Sequence, residues 1–146
     1  MTSEEIHEVA VDQDIDAPVE EVWEALTSTE GWAGWMGRNS TLGDDVGEPL
    51  YAADPVTGEP KRGQIDEFDA GRRLGYRWWP EQNPDQTSHV AITLTPCESG
   101  TRVTVVETVP GHAVCSATAQ SASWMWRGAL VAVVAPRFHR FFQVQL

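Results

Sequence analysis

Residues 39–110 carry strand signals at short intervals, and this pattern constrains the fold more than any other feature of the sequence. Segments rich in β-branched and aromatic residues alternate with turn signals, namely Gly43 to Gly47, "DPVTGEP", "DAGR", "PEQNPDQ" and "CESG". Five or six strands fit between these turns. Because short turns join strands that run in opposite directions, the sequence predicts an antiparallel sheet.

Helical signals lie on both sides of this strand region. "IHEVAVDQDI" predicts a first strand, and "DAPVEEVWEALTS" predicts a helix that Asp16 can cap and that carries Pro18 in its first turn. "TEGWAGWMG" predicts a second short helix or turn. Residues 116–135 lack proline and predict a long closing helix, which Pro136 kinks or ends. The pattern indicates an α+β fold in a single domain over residues 1–146.

A glutamate interrupts the apolar face of the strand predicted from "TRVTVVETV", residues 101–109. Side chains alternate between the two faces of a strand, so one face carries Thr101, Val103, Val105, Glu107 and Val109. Either this face meets water near Glu107, or the carboxylate points into an enclosed space. The same alternation places Tyr76 and Trp78 together on one face of an earlier strand.

Net charge and cysteine content limit the classes of partner and the compartment. Twenty-two acidic and ten basic residues give a formal net charge of −12, which disfavours nucleic acid and anionic lipid as partners. Arg72, Arg73 and Arg77 are interpreted as the solvated face of a strand. No stretch approaches the roughly 18 to 20 apolar residues of a membrane span. The acidic N-terminus and the two cysteines favour a cytoplasmic location, without a disulfide framework.

Motifs for metal, cofactor or nucleophilic chemistry are missing from the sequence. The four histidines fall on different predicted elements without the spacing of metal ligands, and no P-loop, GxGxxG or nucleophile elbow occurs. Cys115 lies three residues after His112, but no third residue completes a catalytic set. We therefore predict neither a metal nor a cofactor.

Four stretches in order resemble a known family. "IDAPVEEVWEALT" resembles the entry motif of the SRPBCC or START-like superfamily, and within it the branch similar to the C-terminal domain of the activator of the Hsp90 ATPase. "GQIDEFDAGRRLGYRW" is similar to its central hairpin, "HVAITLTPCESGTRVTVVET" to its last two strands, and "WRGALVAV" to its closing helix. The resemblance covers nearly the whole chain and is specific for a fold, not for an activity.

This resemblance implies a helix-grip fold, in which a curved antiparallel sheet wraps around a long C-terminal helix, with two short helices after the first strand. Members of this superfamily usually keep a cavity between sheet and helix. In that arrangement Glu107 lines the cavity instead of facing water. The expected ligand-binding residues are Trp35, Tyr51, Tyr76, Trp78, Ile92, Val105, Glu107, Trp126 and Leu130.

A carboxylate in an apolar cavity needs a partner, because burial of an unpaired charge costs several kcal/mol. Candidate partners for Glu107 are water, the indole of Trp126 or Trp78, the hydroxyl of Tyr51 or Tyr76, and a polar group of a ligand. Three interpretations stay open from the sequence. Glu107 lies near the cavity mouth, where it is hydrated or paired with an arginine, or it anchors a ligand, or it acts as a general acid or base.

Three functions are compatible with these patterns. The first is binding of a small, mostly apolar molecule, aromatic or lipid-like, in the enclosed cavity. The second is a cyclase or lyase that uses Glu107 with Tyr76 or Tyr51, and the third is a co-chaperone-like interaction module. We expect binding instead of catalysis. The predicted closing helix is apolar nearly all round, which suggests a homodimer through the Trp124 surface.

Overall fold

The computed structural model describes residues 6–37, 39–53 and 58–110. Within these ranges the chain forms seven strands and two α-helices, and a 3₁₀ turn at Pro84–Gln86 precedes the sixth strand. In chain order the elements are β1 (Ile6–Ile15), α1 (Val19–Thr27), α2 (Thr29–Met36), β2 (Thr41–Leu42), β3 (Pro49–Ala53), β4 (Pro60–Asp69), β5 (Arg73–Pro80), β6 (Ser88–Cys97) and β7 (Gly100–Pro110).

All seven strands belong to one curved antiparallel sheet in the order β1-β7-β6-β5-β4-β3-β2. Neighbours along the chain pair from β2 to β7, and β1 then adds to the free edge of β7 with Ile15 opposite Thr101. The α+β class, the antiparallel sheet and the two short helices after β1 are confirmed. The predicted closing helix over residues 116–135 lies outside the described residues.

The two helices meet at Ser28. This residue ends α1, where its N–H donates to the Glu24 carbonyl, and its Oγ accepts a 3.0 Å hydrogen bond from the Gly31 N–H at the start of α2. The expected cap at Asp16 is wrong. Pro18 occupies the N-cap position and makes no side-chain hydrogen bond, because the helix begins two residues later than that prediction required.

Alternation along the strands separates an inner, buried face of the sheet from an outer face. In β7, Thr101, Val103, Val105 and Glu107 are all buried, as the sequence pattern predicts. In β5, Tyr76 and Trp78 are buried while Arg77 is exposed. The predicted phase of both strands is therefore confirmed.

A β-bulge at Asp66 reverses the alternation inside β4. Ile65 lies opposite Tyr76 and Glu67 lies opposite Gly75, so Asp66 has no partner of its own in β5. Before the bulge the odd-numbered residue Ile65 faces inward. After it the even-numbered residue Phe68 packs against the core, where its ring meets that of Trp23 edge-on at 5.5 Å.

The core lies between the inner face and the two helices. Trp32 and Trp35 of α2 are buried in it, and both indole N–H groups donate to backbone carbonyls, those of Tyr51 and Leu26 respectively. Each large ring is thus fixed in position and satisfied within the protein. The ring of Trp32 also lies 5.8 Å from that of Tyr76, which brings α2 against the centre of the sheet.

Candidate functional site

Three neighbouring strands bring polar side chains together on the inner face. Trp78 of β5 lies opposite Ser88 of β6, and Val90 of β6 lies opposite Glu107 of β7. Ser88 and Val90 are two residues apart and share a face, so Ser88 is the diagonal neighbour of Glu107. The three polar groups therefore converge from three different strands.

Glu107 is only 3% exposed and accepts two hydrogen bonds at one oxygen. The indole Nε1–H of Trp78 donates to Oε2 over 2.9 Å, and the Ser88 hydroxyl donates to the same Oε2 over 2.6 Å. The shorter distance lies in the range of a charge-assisted O–H···O⁻ bond, and an indole N–H can only donate. The interpretation that Glu107 faces water is therefore wrong, and these bonds offset part of the cost of its burial.

Tyr76 lies in the same row across the sheet as Glu107, with Val90 between them. Its side chain is fully buried, yet its hydroxyl has no hydrogen-bond partner among the residues that the structure describes. Burial raises the pKa of this phenol well above its usual value, and the negative charge of Glu107 raises that pKa further. The hydroxyl therefore keeps its proton and is available as a donor.

Aromatic rings hold Tyr76 in place from two sides. Its ring packs edge-on against Trp78 at 5.4 Å and against Trp32 at 5.8 Å. The Lys61 ammonium lies over the Trp78 indole, 4.3 Å from the centre of that ring. The two ring contacts with Trp32 and Trp78 limit movement of the Tyr76 ring and so restrain the position of its hydroxyl oxygen.

The structure brings five of the predicted site residues onto one buried face. These are Tyr76, Trp78, Ile92, Val105 and Glu107. Trp35 is buried in α2, where its indole is bonded to the Leu26 carbonyl. Trp126 and Leu130 lie outside the described residues, and so do Cys115, His112 and Trp124.

Tyr51 lies on the outer face, which corrects its expected place in the cavity. In β3 the buried positions are Leu50 and Ala52, so alternation turns the Tyr51 side chain the opposite way. The Arg62 guanidinium on the neighbouring strand lies 5.5 Å from the Tyr51 ring. The backbone carbonyl of Tyr51 accepts the hydrogen bond from the buried Trp32 indole.

Ser88 is the site residue that sequence reasoning missed. It precedes Val90, Ile92 and Leu94 with the same period of two, and those three residues are all buried. A serine in phase with buried apolar residues predicts a second polar group on the same buried face, because the buried hydroxyl needs a hydrogen-bond partner.

Among the residues that the structure describes, no group of three or more histidine, cysteine, aspartate or glutamate side chains could hold a metal ion. No helix in the same ranges has the length and apolar character needed to cross a membrane.

A comparison with known families agrees with this architecture. The family model described as Activator of Hsp90 ATPase homolog 1-like protein matches residues 16–130. The chain belongs to this family. The resemblance read from the sequence is confirmed, and the matched range contains both helices and every residue of the Glu107 cluster. No curated protein matches the chain at a significant level.

Solved structures share the fold of this Hsp90-activator-like chain at low sequence identity. Protein MLL2253 from Mesorhizobium loti is 21% identical with a TM-score of 0.73, over 87% of this chain and 93% of that one. DynU16, from the dynemicin biosynthetic locus, is 23% identical with a TM-score of 0.75, over 90% of this chain and 48% of its own. The Aha1 dimer from Colwellia psychrerythraea is 14% identical with a TM-score of 0.71, over 90% and 97%. These likenesses show the fold alone.

Proposed function

We propose that this protein binds a small, mostly apolar molecule, aromatic or lipid-like, between the inner face of the sheet and the closing helix predicted for residues 116–135. The observation that carries the proposal is the buried Tyr76 hydroxyl, which lacks a partner among the described residues. A buried donor left without a partner costs about 1–3 kcal/mol. A ligand that accepts its hydrogen bond recovers that energy.

The surroundings of Tyr76 favour an apolar body for this ligand. Its neighbours on the inner face are Val90, Ile92 and the indole of Trp78, all of them buried. Few polar groups among aromatic and aliphatic walls are typical of small-molecule sites. Because Glu107 Oε2 already accepts from Trp78 and Ser88, Tyr76 is the stronger candidate for direct contact with the ligand.

The same geometry weighs against the cyclase or lyase alternative. A general acid works best when its pKa lies near the working pH, and burial moves the pKa of Tyr76 in the opposite direction. Tyr51, the other hydroxyl considered for this role, lies on the outer face. We therefore favour ligand binding over catalysis. The co-chaperone-like interaction module is the alternative if no ligand is found.

Thermal melts with and without ligands test the proposal. We expect members of a panel of flat aromatic and fatty compounds to raise the melting temperature of the wild type, because a ligand that binds only the folded state stabilises it. Tyr76→Phe should reduce that increase, while Tyr51→Phe, the matched change on the outer face, should leave it intact. If no compound stabilises the wild type, the binding proposal fails.

We also propose a homodimer through the Trp124 surface. The family relative from Colwellia psychrerythraea is described as a dimer, which supports this arrangement. Trp124 itself lies outside the described residues, so the proposal rests on the apolar character of the predicted closing helix. Sedimentation equilibrium should give twice the chain mass, and Trp124→Glu should give the monomer mass. A wild-type monomer at high concentration would refute the dimer.

A further inference from the structure

We infer that Asp66 and His89 form a strap across the outer face of the sheet, and that this strap holds β5 in place between its two neighbouring strands. Strand β5 carries Tyr76 and Trp78 on its inner face. The inference does not rest on the proposed function, because it concerns contacts on the opposite face of the sheet.

Asp66 is the extra residue of the bulge in β4, and the alternation of the inner face does not require it. Ile65 and Glu67 pair with Tyr76 and Gly75, which are consecutive residues of β5. If Asp66 were absent, Ile65 and Glu67 would follow one another, and regular alternation would still turn Ile65 inward and Glu67 outward. A bulge can re-aim a side chain, and here the extra residue supplies a carboxylate to the outer face.

The carboxylate of Asp66 lies over Gly75, in the space that a side chain at that position would fill. A Cβ built on Gly75 would lie 2.9 Å from Asp66 Oδ1. Because Gly75 leaves this space open, the Asp66 side chain passes over β5 and reaches His89 on β6. The His89 Nε2 lies 3.2 Å from Oδ1 and 2.9 Å from Oδ2 of Asp66. Since an ionised carboxylate can only accept, the imidazole N–H is the donor in this contact.

The outer-face side chains on either side of Gly75 make contacts of a different kind. Arg73 donates to Glu67 over 2.7 Å, and Arg77 donates to Gln64 over 3.0 Å. Both contacts join β5 to its direct neighbour β4. The strap instead joins β4 to β6, two strands that do not pair and whose backbones lie about 10 Å apart. It therefore encloses β5 from the outside.

This position of the strap limits how far β5 can move away from the core. An outward displacement at Gly75 would press against the Asp66 side chain, which is anchored on β4 at one end and on β6 at the other. The side chains of His89 and Asp66 are 40% and 37% exposed, so water weakens the contact between them. We therefore expect loss of the strap to promote local opening of β5 without unfolding the protein.

Amide hydrogen exchange of the native protein, measured on peptides that cover β5, tests the strap. Asp66→Ala and His89→Ala each remove one partner. We expect each variant to speed exchange in β5 about twofold to fivefold, the effect of losing one half-exposed ion pair. The double variant should exchange no faster than the faster single variant, because both substitutions remove the same contact. Circular dichroism checks that each variant is folded.

Gly75→Ala breaks the strap without altering either of its partners. The added methyl group would crowd the Asp66 carboxylate, so exchange in β5 should again become faster. Asp66→Ala introduced into this variant should then have no further effect. The control is Asp12→Ala, which removes an exposed carboxylate from the outer face of β1. It should leave exchange in β5 equal to that of the wild type, because β1 lies three strands away from β5.

Three results would overturn the inference. The first is unchanged exchange in β5 for both single variants, and the second is a double variant in which the effects of Asp66→Ala and His89→Ala multiply. The third is a further increase when Asp66→Ala is added to Gly75→Ala, since the carboxylate would then act by a route that does not cross Gly75. Each of these results would leave the proposed ligand binding standing, because that proposal depends on the inner face.

Discussion

The indole N–H of Trp78 donates to the carboxylate of Glu107 over 2.9 Å, although the two residues are 29 positions apart and lie on strands that do not pair. The intervening strand β6 contributes Ser88 to the same oxygen. One carboxylate therefore fixes the relative positions of three strands at the level of side chains. This makes the cluster a structural feature as well as a candidate binding site.

Removal of the Ser88 hydroxyl should destabilise the protein measurably. We expect Ser88→Ala to lower the free energy of unfolding by about 1.5–3 kcal/mol, since it removes a hydrogen bond to a buried carboxylate. Urea denaturation measures the change. Ser99→Ala, an exposed serine in the turn between β6 and β7, is the control and should change stability by less than about 0.5 kcal/mol. Equal effects at both positions would contradict the assigned role of Ser88.

Gly63 should not tolerate even one added methyl group. A Cβ at this position would collide with the Arg77 carbonyl oxygen and lie 3.0 Å from the Trp78 Cβ and 3.1 Å from the Leu50 side chain. We expect Gly63→Ala to cost about 1–3 kcal/mol of stability and to shift tryptophan fluorescence, because overpacking displaces the indole.

Gly34 in α2 provides the matched control for that substitution. A Cβ built there meets no atom within 4 Å. We expect Gly34→Ala to stabilise the protein by about 0.5–1 kcal/mol, since alanine loses less backbone entropy in a helix. Destabilisation by both alanines would show that local crowding is not the cause.

Tyr76 should make the protein sensitive to alkaline pH. Its folded pKa is raised by burial and by Glu107, while the unfolded phenol titrates near about 10. The protonated phenol contributes fully to the free energy of unfolding below that pH. This contribution is lost as the pH rises, because only the unfolded state then ionises readily. The stability of the wild type relative to Tyr76→Phe should therefore fall above about pH 10. Parallel stability curves would contradict this.

Asp14, in the edge strand β1, should make the stability of the protein sensitive to acidic pH. Arg102 donates to its two oxygens over 2.8 and 3.3 Å, and this contact lowers the pKa of Asp14. The stabilisation is present above the unfolded pKa and is lost as the pH falls through the folded pKa. Asp14→Asn should reduce the loss of stability below about pH 4. The control is Asp85→Asn in the 3₁₀ turn, and an identical effect there would refute a specific role for Arg102.

Alternation predicts the inner face of β5 and β7 because no irregularity interrupts either strand. Glu107 and Trp78 could thus be assigned to one buried surface from the sequence. The same rule is insufficient in β4, where the bulge at Asp66 moves Ile65 and Phe68 onto one face despite their spacing of three. Tyr51 was misplaced for a different reason. Its strand has only five residues, too few for a face to be recognised by period alone.

Contacts within the sheet differ widely in the length of chain between the two residues that folding must bring together. Ser88 and Glu107 are 19 positions apart, within strands that succeed one another along the chain, so a local meander can form this contact early. In contrast, the Thr101 hydroxyl reaches the Ala17 carbonyl from 84 positions away, and the same long closure must occur before β1 can pair with β7. We expect β1 to join the sheet last. The contacts of the interior Glu107 carboxylate would then form before the first strand of the chain docks.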